Sequence, residues 1–312
     1  MLELRQSIVR EVNKVVLGQD HVVDQILIAL ATRGHVLLEG PPGTAKTLLA
    51  NAIARTLGVK FRRVQFTPDM LPSDLTGTMA LVGGQIGDLA FRRGPIFSNI
   101  VLADEINRTP PKTQAALLEA MGEGTVSVDG TTHPLEDPFL VIATQNPIEY
   151  EGTYPLPEAQ LDRFTLKVMV GYPREEEEVA MLALRRSGVR ATSIDDVQQV
   201  ANSDDIAKLR ALVDLTTVHP DLSAYAVRII RASRSVASIE LGASPRATVH
   251  LMAAAKAAAR LAGRDFLTPD DLAIATPPVL RHRLILRPEA ELEGYKVDDV
   301  IRNLLGSVTV PR

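Results

Sequence analysis

Gly40-Pro41-Pro42-Gly43-Thr44-Ala45-Lys46-Thr47 reads as a phosphate-cradling loop in which Ala45 stands where the usual pattern has its last glycine. The run before it, His35-Val36-Leu37-Leu38-Glu39, predicts a short buried strand. Leu48 to Ala54 continues as a helix with apolar residues at helical spacing. Strand, glycine-containing loop and helix are the context such a loop needs, because backbone N–H groups and a helix N-terminus then converge on an anion. Lys46 is expected to reach the outer phosphates as a point charge, and the Thr47 hydroxyl to ligate magnesium. Ala45 has only to keep its Cβ out of the way, which predicts a negative φ there.

A second element lies about sixty residues downstream, where Ile100-Val101-Leu102-Ala103 is an apolar strand ending in the adjacent carboxylates Asp104 and Glu105. Such a pair alone is more often a turn or helix cap. Paired with the phosphate loop, it assigns Asp104 to the metal and Glu105 to general-base work on the attacking water.

Further strands are expected at Arg62 to Phe66, Phe139 to Thr144 and Phe164 to Val170, with a helix over Lys112 to Met121 between them. Alternating strands and helices predict an α/β fold, a five-stranded parallel sheet covered on both faces, with ligands at the carboxyl ends of its strands. Residues 1 to 34 read as two helices broken at Val16-Leu17-Gly18-Gln19. Two excursions interrupt the alternation. Residues 76 to 97 read as a ribbon around Gly83-Gly84, and residues 125 to 134 as a hairpin turning at Asp129-Gly130. Either contacts a substrate or neighbour, or is solvent-exposed decoration. Beyond Gly171-Tyr172-Pro173 the pattern turns helical, so a core over 1–172 and a smaller all-helical region over 173–312 are expected. Glu175 to Glu178 is the acidic first turn of a helix. Ser244 and Pro245 read as N-cap and first residue of a long helix whose Arg246 opposes the helix dipole, which is better explained by a nearby anion.

The 312 residues are 46% hydrophobic, enough for two cores, and carry a net charge of −4 with 4% aromatics and no tryptophan. A general basic surface and a supply of stacking platforms are both lacking, so nucleic acid is not the expected partner. Arg92-Arg93 and Arg281-His282-Arg283 are the two places where a local basic patch could arise. The absence of cysteine removes disulfides and thiolate chemistry. The six histidines show no metal-ligand spacing and read as structural or surface residues. The chain shows neither a leader nor an apolar run long enough to span a bilayer, so a soluble cytoplasmic protein without membrane insertion is expected.

Taken together, the phosphate loop, Leu102 to Arg108, Ala143 to Pro147, Leu156 to Phe164 and Gly242 to Ala247 resemble AAA+ ATPases, and within them the MoxR family of the helix-2-insert clade. The stretches Phe91 to Phe97 and Leu280 to Arg283 resemble the same family, which commonly carries alanine at the position of Ala45. The resemblance implies ATP and Mg2+ as cofactors, bound by Gly40, Pro41, Pro42, Gly43, Thr44, Ala45, Lys46, Thr47 and Leu48, with Val16, Leu17, Gly18 and Gln19 around the adenine. It assigns Asn146 to the first sensor, Arg246 to the second sensor on a lid, and Arg163 to an arginine finger reaching the adjacent subunit's nucleotide. Gln65 would hold Glu105 inactive until a partner binds. It further implies a homo-oligomeric ring, a hexamer, acting with a separate von Willebrand factor A domain adaptor on a client protein complex. The two excursions would be the helix-2 insert and the pre-sensor hairpin. Two other readings stay open: a nucleic-acid motor of the minichromosome-maintenance type, and a nucleotide-dependent scaffold with little turnover.

Overall fold

The computed structural model describes residues 1–81, 89–145, 154–186 and 193–311. Two helices, α1 (Leu2–Val12) and α2 (Asp20–Ala31), lead into β1 (Val36–Glu39) and α3 (Lys46–Thr56). Next come β2 (Phe61–Gln65), α4 (Pro72–Thr76), β3 (Gly77–Leu81), β4 (Leu89–Arg93), β5 (Ile100–Asp104) and α5 (Pro111–Glu123). The core closes with β6 (Thr125–Val128), β7 (Thr131–Pro134), β8 (Leu140–Gln145), α6 (Glu158–Leu161) and β9 (Leu166–Met169). Then come α7 (Glu175–Arg186), α8 (Ser203–Asp214), α9 (Pro220–Ala232), β10 (Ile239–Leu241) and α10 (Pro245–Leu261). The last elements are α11 (Pro269–Leu280), β11 (Ile285–Leu286), α12 (Pro288–Leu292) and α13 (Val297–Ser307).

Five strands form one parallel sheet in the order β2-β5-β8-β1-β9. Its central strands are apolar up to their carboxyl-end residues, Glu39, Asp104 and Thr144-Gln145, because both faces are covered, and side-chain alternation sends successive residues to opposite sides. Val36, Leu38, Ile100, Leu102, Leu140 and Ile142 belong to one buried cluster. Leu37, Val101, Ala103, Val141 and Ala143 belong to the other, with Phe66, Leu117 and Phe164. The first cluster continues through α2 into the C-terminal helices, reaching Leu209, Leu251 and Leu272. β2 lies at the sheet edge and exposes the adjacent Arg62 and Arg63, so it carries charge in mid-strand where the central strands do not.

Both excursions form antiparallel ribbons, β3 with β4 and β6 with β7. At the second turn Asp129 has φ 47 and Gly130 φ 79, the left-handed pair that a tight two-residue turn requires. The tip of the first ribbon, with Gly83-Gly84, lies outside the described residues. The ribbons touch where Phe91 stacks on His133 at 4.3 Å between ring centroids.

The expected helical C-terminal region is present, but it also contains a minimal ribbon in which β10 pairs with β11. Strands of three and two residues carry too little periodicity to be read from sequence. Among the described residues no helix is long and apolar enough to cross a membrane.

His35 and His282 are buried and His250 is half-buried, each held within the fold. Val141 N–H donates to His35 Nδ1 at 3.0 Å, so Nε2 carries the proton and donates to the Met121 carbonyl at 3.1 Å, tying β8 to α5. Burial pushes His35 down to about 4. Burial, then the neighbouring Arg283 charge, push His250 down to about 4 and His282 well below its ordinary value. These rings are neutral in the folded chain, whereas the unfolded chain binds protons below about pH 6.5. Their stabilisation is whole above that value and is lost as pH falls toward 4, by about 1.4 kcal/mol per pH unit for each ring. Denaturant midpoints at pH 7, 6 and 5 should fall in that order; a flat series contradicts the prediction.

Candidate functional site

The phosphate loop leaves β1 at the centre of the sheet, and Asp104 ends the strand one removed from it. Between them β8 delivers Thr144 and Gln145, paired in register with Leu38 and Glu39. A cavity of about 410 Å³ opens over these three strand ends, lined by Pro42 to Leu48, Asp104, Glu105, Thr144 and Gln145. Topology explains the convergence, because parallel strands bring all their carboxyl ends to one edge.

Close approach fixes the loop's first glycine: a Cβ on Gly40 would meet the Val170 carbonyl oxygen at 2.1 Å. Gly43 has φ 81. Ala45 departs from expectation. Its φ is 59 and ψ 22, the left-handed region, so it adopts the conformation of the glycine it replaces. The turn into α3 demands that conformation whichever residue occupies it. Left-handed backbone costs a non-glycine residue about 1–2 kcal/mol, against roughly 0.4–1 kcal/mol for the added freedom of glycine in the unfolded chain. Ala45→Gly is therefore expected to stabilise by up to about 1.6 kcal/mol while retaining turnover. Paired unfolding curves and phosphate-release rates check this, and a less stable variant contradicts it.

Lys46 Nζ folds back onto its own loop, donating to the carbonyls of Gly40 at 2.7 Å and Pro41 at 2.8 Å. Burial lowers its pKa, while Asp104 and Glu105 oppose that shift. An incoming phosphate would exchange these neutral acceptors for charged ones, a change that favours transfer of the ammonium.

Thr144, 2% exposed, organises the acidic pair. Its hydroxyl donates to Asp104 Oδ1 at 2.6 Å and accepts from the Glu105 backbone N–H at 2.9 Å. Sequence alone assigned Thr144 no role. A hydroxyl at the end of an otherwise apolar strand was its one signal. Glu105 itself sits at φ 58, ψ 50, a left-handed and strained backbone for a residue other than glycine. Gln65 Nε2 donates to Glu105 Oε2 at 2.7 Å, so the partner anticipated for Glu105 touches it. Arg108 Nη1 lies 3.2 Å from the same oxygen. Arg63 adds a contact that sequence did not suggest, with Nε donating to Asp104 Oδ2 at 2.9 Å and Nη2 to Gln65 Oε1 at 2.6 Å. The Thr47 hydroxyl and Asp104 carboxylate are hard oxygen donors lining one cavity, a set that suits Mg2+.

The remaining expected residues divide. Asn146 lies outside the described residues. Val16, Leu17, Gly18 and Gln19 do not line the cavity, although Gln19 Nε2 donates to the Gly171 carbonyl at 3.2 Å, beside the Val170 that abuts Gly40. Arg163 and Arg246 are elsewhere. They line a second cavity of about 430 Å³ together with Gly34, Gly122, Asp162 and His250. Gly34 precedes β1 and Arg163 precedes β9, whose Leu166 pairs with Val36, so this cavity lies at the amino ends of the strands. The length of β1, four residues or about 13 Å, separates it from the phosphate loop.

Arg163 is exposed, and its guanidinium donates to the Leu118 carbonyl over Gly122. Arg246 has the anion its position required, as Nη1 stands 3.9 Å from Asp162 Oδ2. Ser244 occupies the N-cap position of α10 but makes no capping bond; its hydroxyl donates to Asp162 Oδ2 at 3.3 Å. Asp162 competes successfully for that hydroxyl. The triplet Arg281-His282-Arg283 forms no basic patch. Arg281 Nε donates to Asp298 Oδ1 at 2.6 Å, while His282 and Arg283 are buried.

Comparison with known proteins agrees with this fold. The family model described as "ATPase family associated with various cellular activities (AAA)" matches residues 35–166, and that of the AAA lid domain matches 231–304. The chain is 43% identical to Chaperone MoxR1 of Mycobacterium tuberculosis, over 97% of this chain and 81% of that one. It is 34% identical to Protein MoxR of Methylorubrum extorquens, over 97% and 94%. A crystal structure of a protein from Cytophaga hutchinsonii superposes with a TM-score of 0.90 at 41% identity, covering 100% of this chain and 97% of the other.

Proposed function

This chain belongs to the MoxR family of AAA ATPases, and we propose that it hydrolyses ATP at sites completed only between neighbouring copies in a ring. ATP hydrolysis itself comes with the family. The observation that carries the rest is the separation of the two cavities. Lys46, Thr47, Asp104 and Glu105 line one at the carboxyl edge of the sheet, and Arg163 and Arg246 line the other at the amino edge. An arginine at the amino edge cannot reach its own subunit's nucleotide across β1 without dismantling the sheet. It can reach a neighbour's. On this reading Arg246 acts, like Arg163, on the adjacent subunit. That differs from a sensor closing over its own site.

Within the site, Mg2+ would be held by Thr47 and Asp104, and it would neutralise the phosphate charge that develops at transfer. Lys46 draws on the outer phosphates, and Glu105 takes a proton from the attacking water. Asn146 would help orient that water. Gln65 engages the Glu105 carboxylate in the resting chain, so rotation of Gln65 away would free the base. Residues 16–19 would pack near the adenine. Residues 173–312 would serve as the lid of a core formed by 1–172. The ring is taken to be a hexamer working with a von Willebrand factor A domain adaptor on a client complex, a chaperone-like role in keeping with the name of the Mycobacterium relative. The two interlocked ribbons offer a surface for that client.

Phosphate release measured against protein concentration tests the proposal. Specific activity should rise with concentration as rings assemble, and Glu105→Gln should lose about 10²- to 10⁴-fold in turnover while retaining ATP. A concentration-independent rate would overturn the shared-site reading, and a Glu105-independent rate the catalytic assignment.

A further inference from the structure

Arg283 lies just beyond α11 with its side chain 2% exposed. A guanidinium at such depth is costly to desolvate, and an apolar residue would fill the space more cheaply. Its bonds therefore point to a geometric purpose. Nε donates to Asp162 Oδ1 at 2.6 Å. Nη2 donates to the carbonyls of Asp162 at 3.2 Å and Phe164 at 2.6 Å, and to His250 Nδ1 at 2.6 Å. Nη1 donates to the Thr165 carbonyl at 3.2 Å and to that of Val279. Four of these six contacts fall on residues 162, 164 and 165, which bracket Arg163. His282 adds a fifth hold on the segment, with Nε2 donating to the Phe164 carbonyl at 2.9 Å.

We propose that Arg283 is the positioning residue for Arg163: it clamps the backbone on both sides of that arginine, whose side chain, held among the described residues only at its tip by the Leu118 carbonyl, extends toward a neighbouring subunit. The inference rests on the reading that Arg163 serves the adjacent nucleotide. The clamp reaches Arg246 as well, because the second oxygen of Asp162 faces Ser244 Oγ and Arg246 Nη1. One carboxylate thus ties the C-terminal helices to the segment that precedes β9. Movement of α10 and α11 against the sheet would then carry Arg163 with it. A single lysine cannot reproduce the clamp, since a guanidinium presents five N–H donors in a fixed fork and an ammonium three on a flexible stem.

Arg283→Lys tests this, with Asp162→Asn as the second variant should the first fail to fold. The lysine variant should bind a non-hydrolysable ATP analogue within about twofold of wild type, because the loop at Gly40 lies at the opposite edge of the sheet. Its turnover should fall about 10- to 100-fold, the scale of a misplaced catalytic group. Mixed with Glu105→Gln, it should regain activity, because the glutamine subunits carry intact Arg163 segments. The Arg163→Ala/Arg283→Lys double variant should turn over no more slowly than Arg163→Ala alone. Wild-type turnover in Arg283→Lys, loss of analogue binding, or losses that multiply in the double variant would each overturn the clamp. Failure of Arg163→Ala to be rescued by Glu105→Gln would instead refute action on the neighbour, with the double variant still deciding whether Arg283 works through Arg163.

Discussion

Arg163→Ala is expected to lower phosphate release about 10³-fold or more while ATP affinity stays near wild type. The magnitude is that of arginines that neutralise transferring phosphate, about 10³–10⁵ in rate. Retained binding is expected from position: Arg163 precedes β9 at the sheet's amino edge, whereas the loop from Gly40 to Thr47 leaves the carboxyl edge. Its present contacts, the Leu118 carbonyl and the face of Gly122, hold the guanidinium at the end of α5 and contribute little to the core. Stability should accordingly change little. The decisive measurement is a mixture. Arg163→Ala and Glu105→Gln are each inactive for different reasons, and a mixed ring pairs an intact Glu105 with an intact Arg163 across some interfaces. Activity should reappear in proportion to those interfaces. A mixture as silent as its components would rule out action across subunits.

Lys46→Ala should weaken binding of an ATP analogue at least about 10²-fold, and turnover with it. A hydrogen bond to a charged group contributes about 1.5–3 kcal/mol, and Lys46 has two loop carbonyls at 2.7 and 2.8 Å to exchange for phosphate oxygens. The variant keeps those carbonyls and loses the cation that separates them from the phosphates, so repulsion adds to the loss. The fold should survive, since among the described residues the bonds made by Lys46 Nζ lie within the loop. Titration with a fluorescent analogue, read beside a thermal melt, distinguishes lost binding from lost structure; unchanged affinity would refute the assigned role.

Much of this site was legible because its determinants are local. The loop from Gly40 to Thr47 and the strand ending in Asp104-Glu105 are contiguous, and strands of four to six residues whose apolar runs are covered on both faces stand out from their surroundings. The Asp129-Gly130 turn was readable for the same reason. What escaped was either conformational or distant. Ala45 showed that a loop can impose left-handed backbone on a residue that resists it, a property of the closed turn rather than of alanine. Thr144 and Arg63 act through partners 40 and 41 residues away on adjacent strands, and no spacing along the chain encodes strand order. Arg281-His282-Arg283 looked like surface charge, because a run of cations is ordinarily solvated. Asp298, Phe164 and Asp162, brought in from elsewhere, pair with it instead.

By itself, then, the order of residues determined that this protein binds a nucleotide, that a parallel sheet carries the phosphate-type loop, and that two adjacent carboxylates stand at the end of another of its strands. Those are statements about short segments, where hydrophobic periodicity and backbone geometry act over a few residues. The tertiary structure decided which groups share a cavity. It set Arg163 and Arg246 at one edge of the sheet and Lys46 and Glu105 at the other. The reason is that β1 and β9 run parallel, so residues entering a strand and residues leaving one lie at opposite edges.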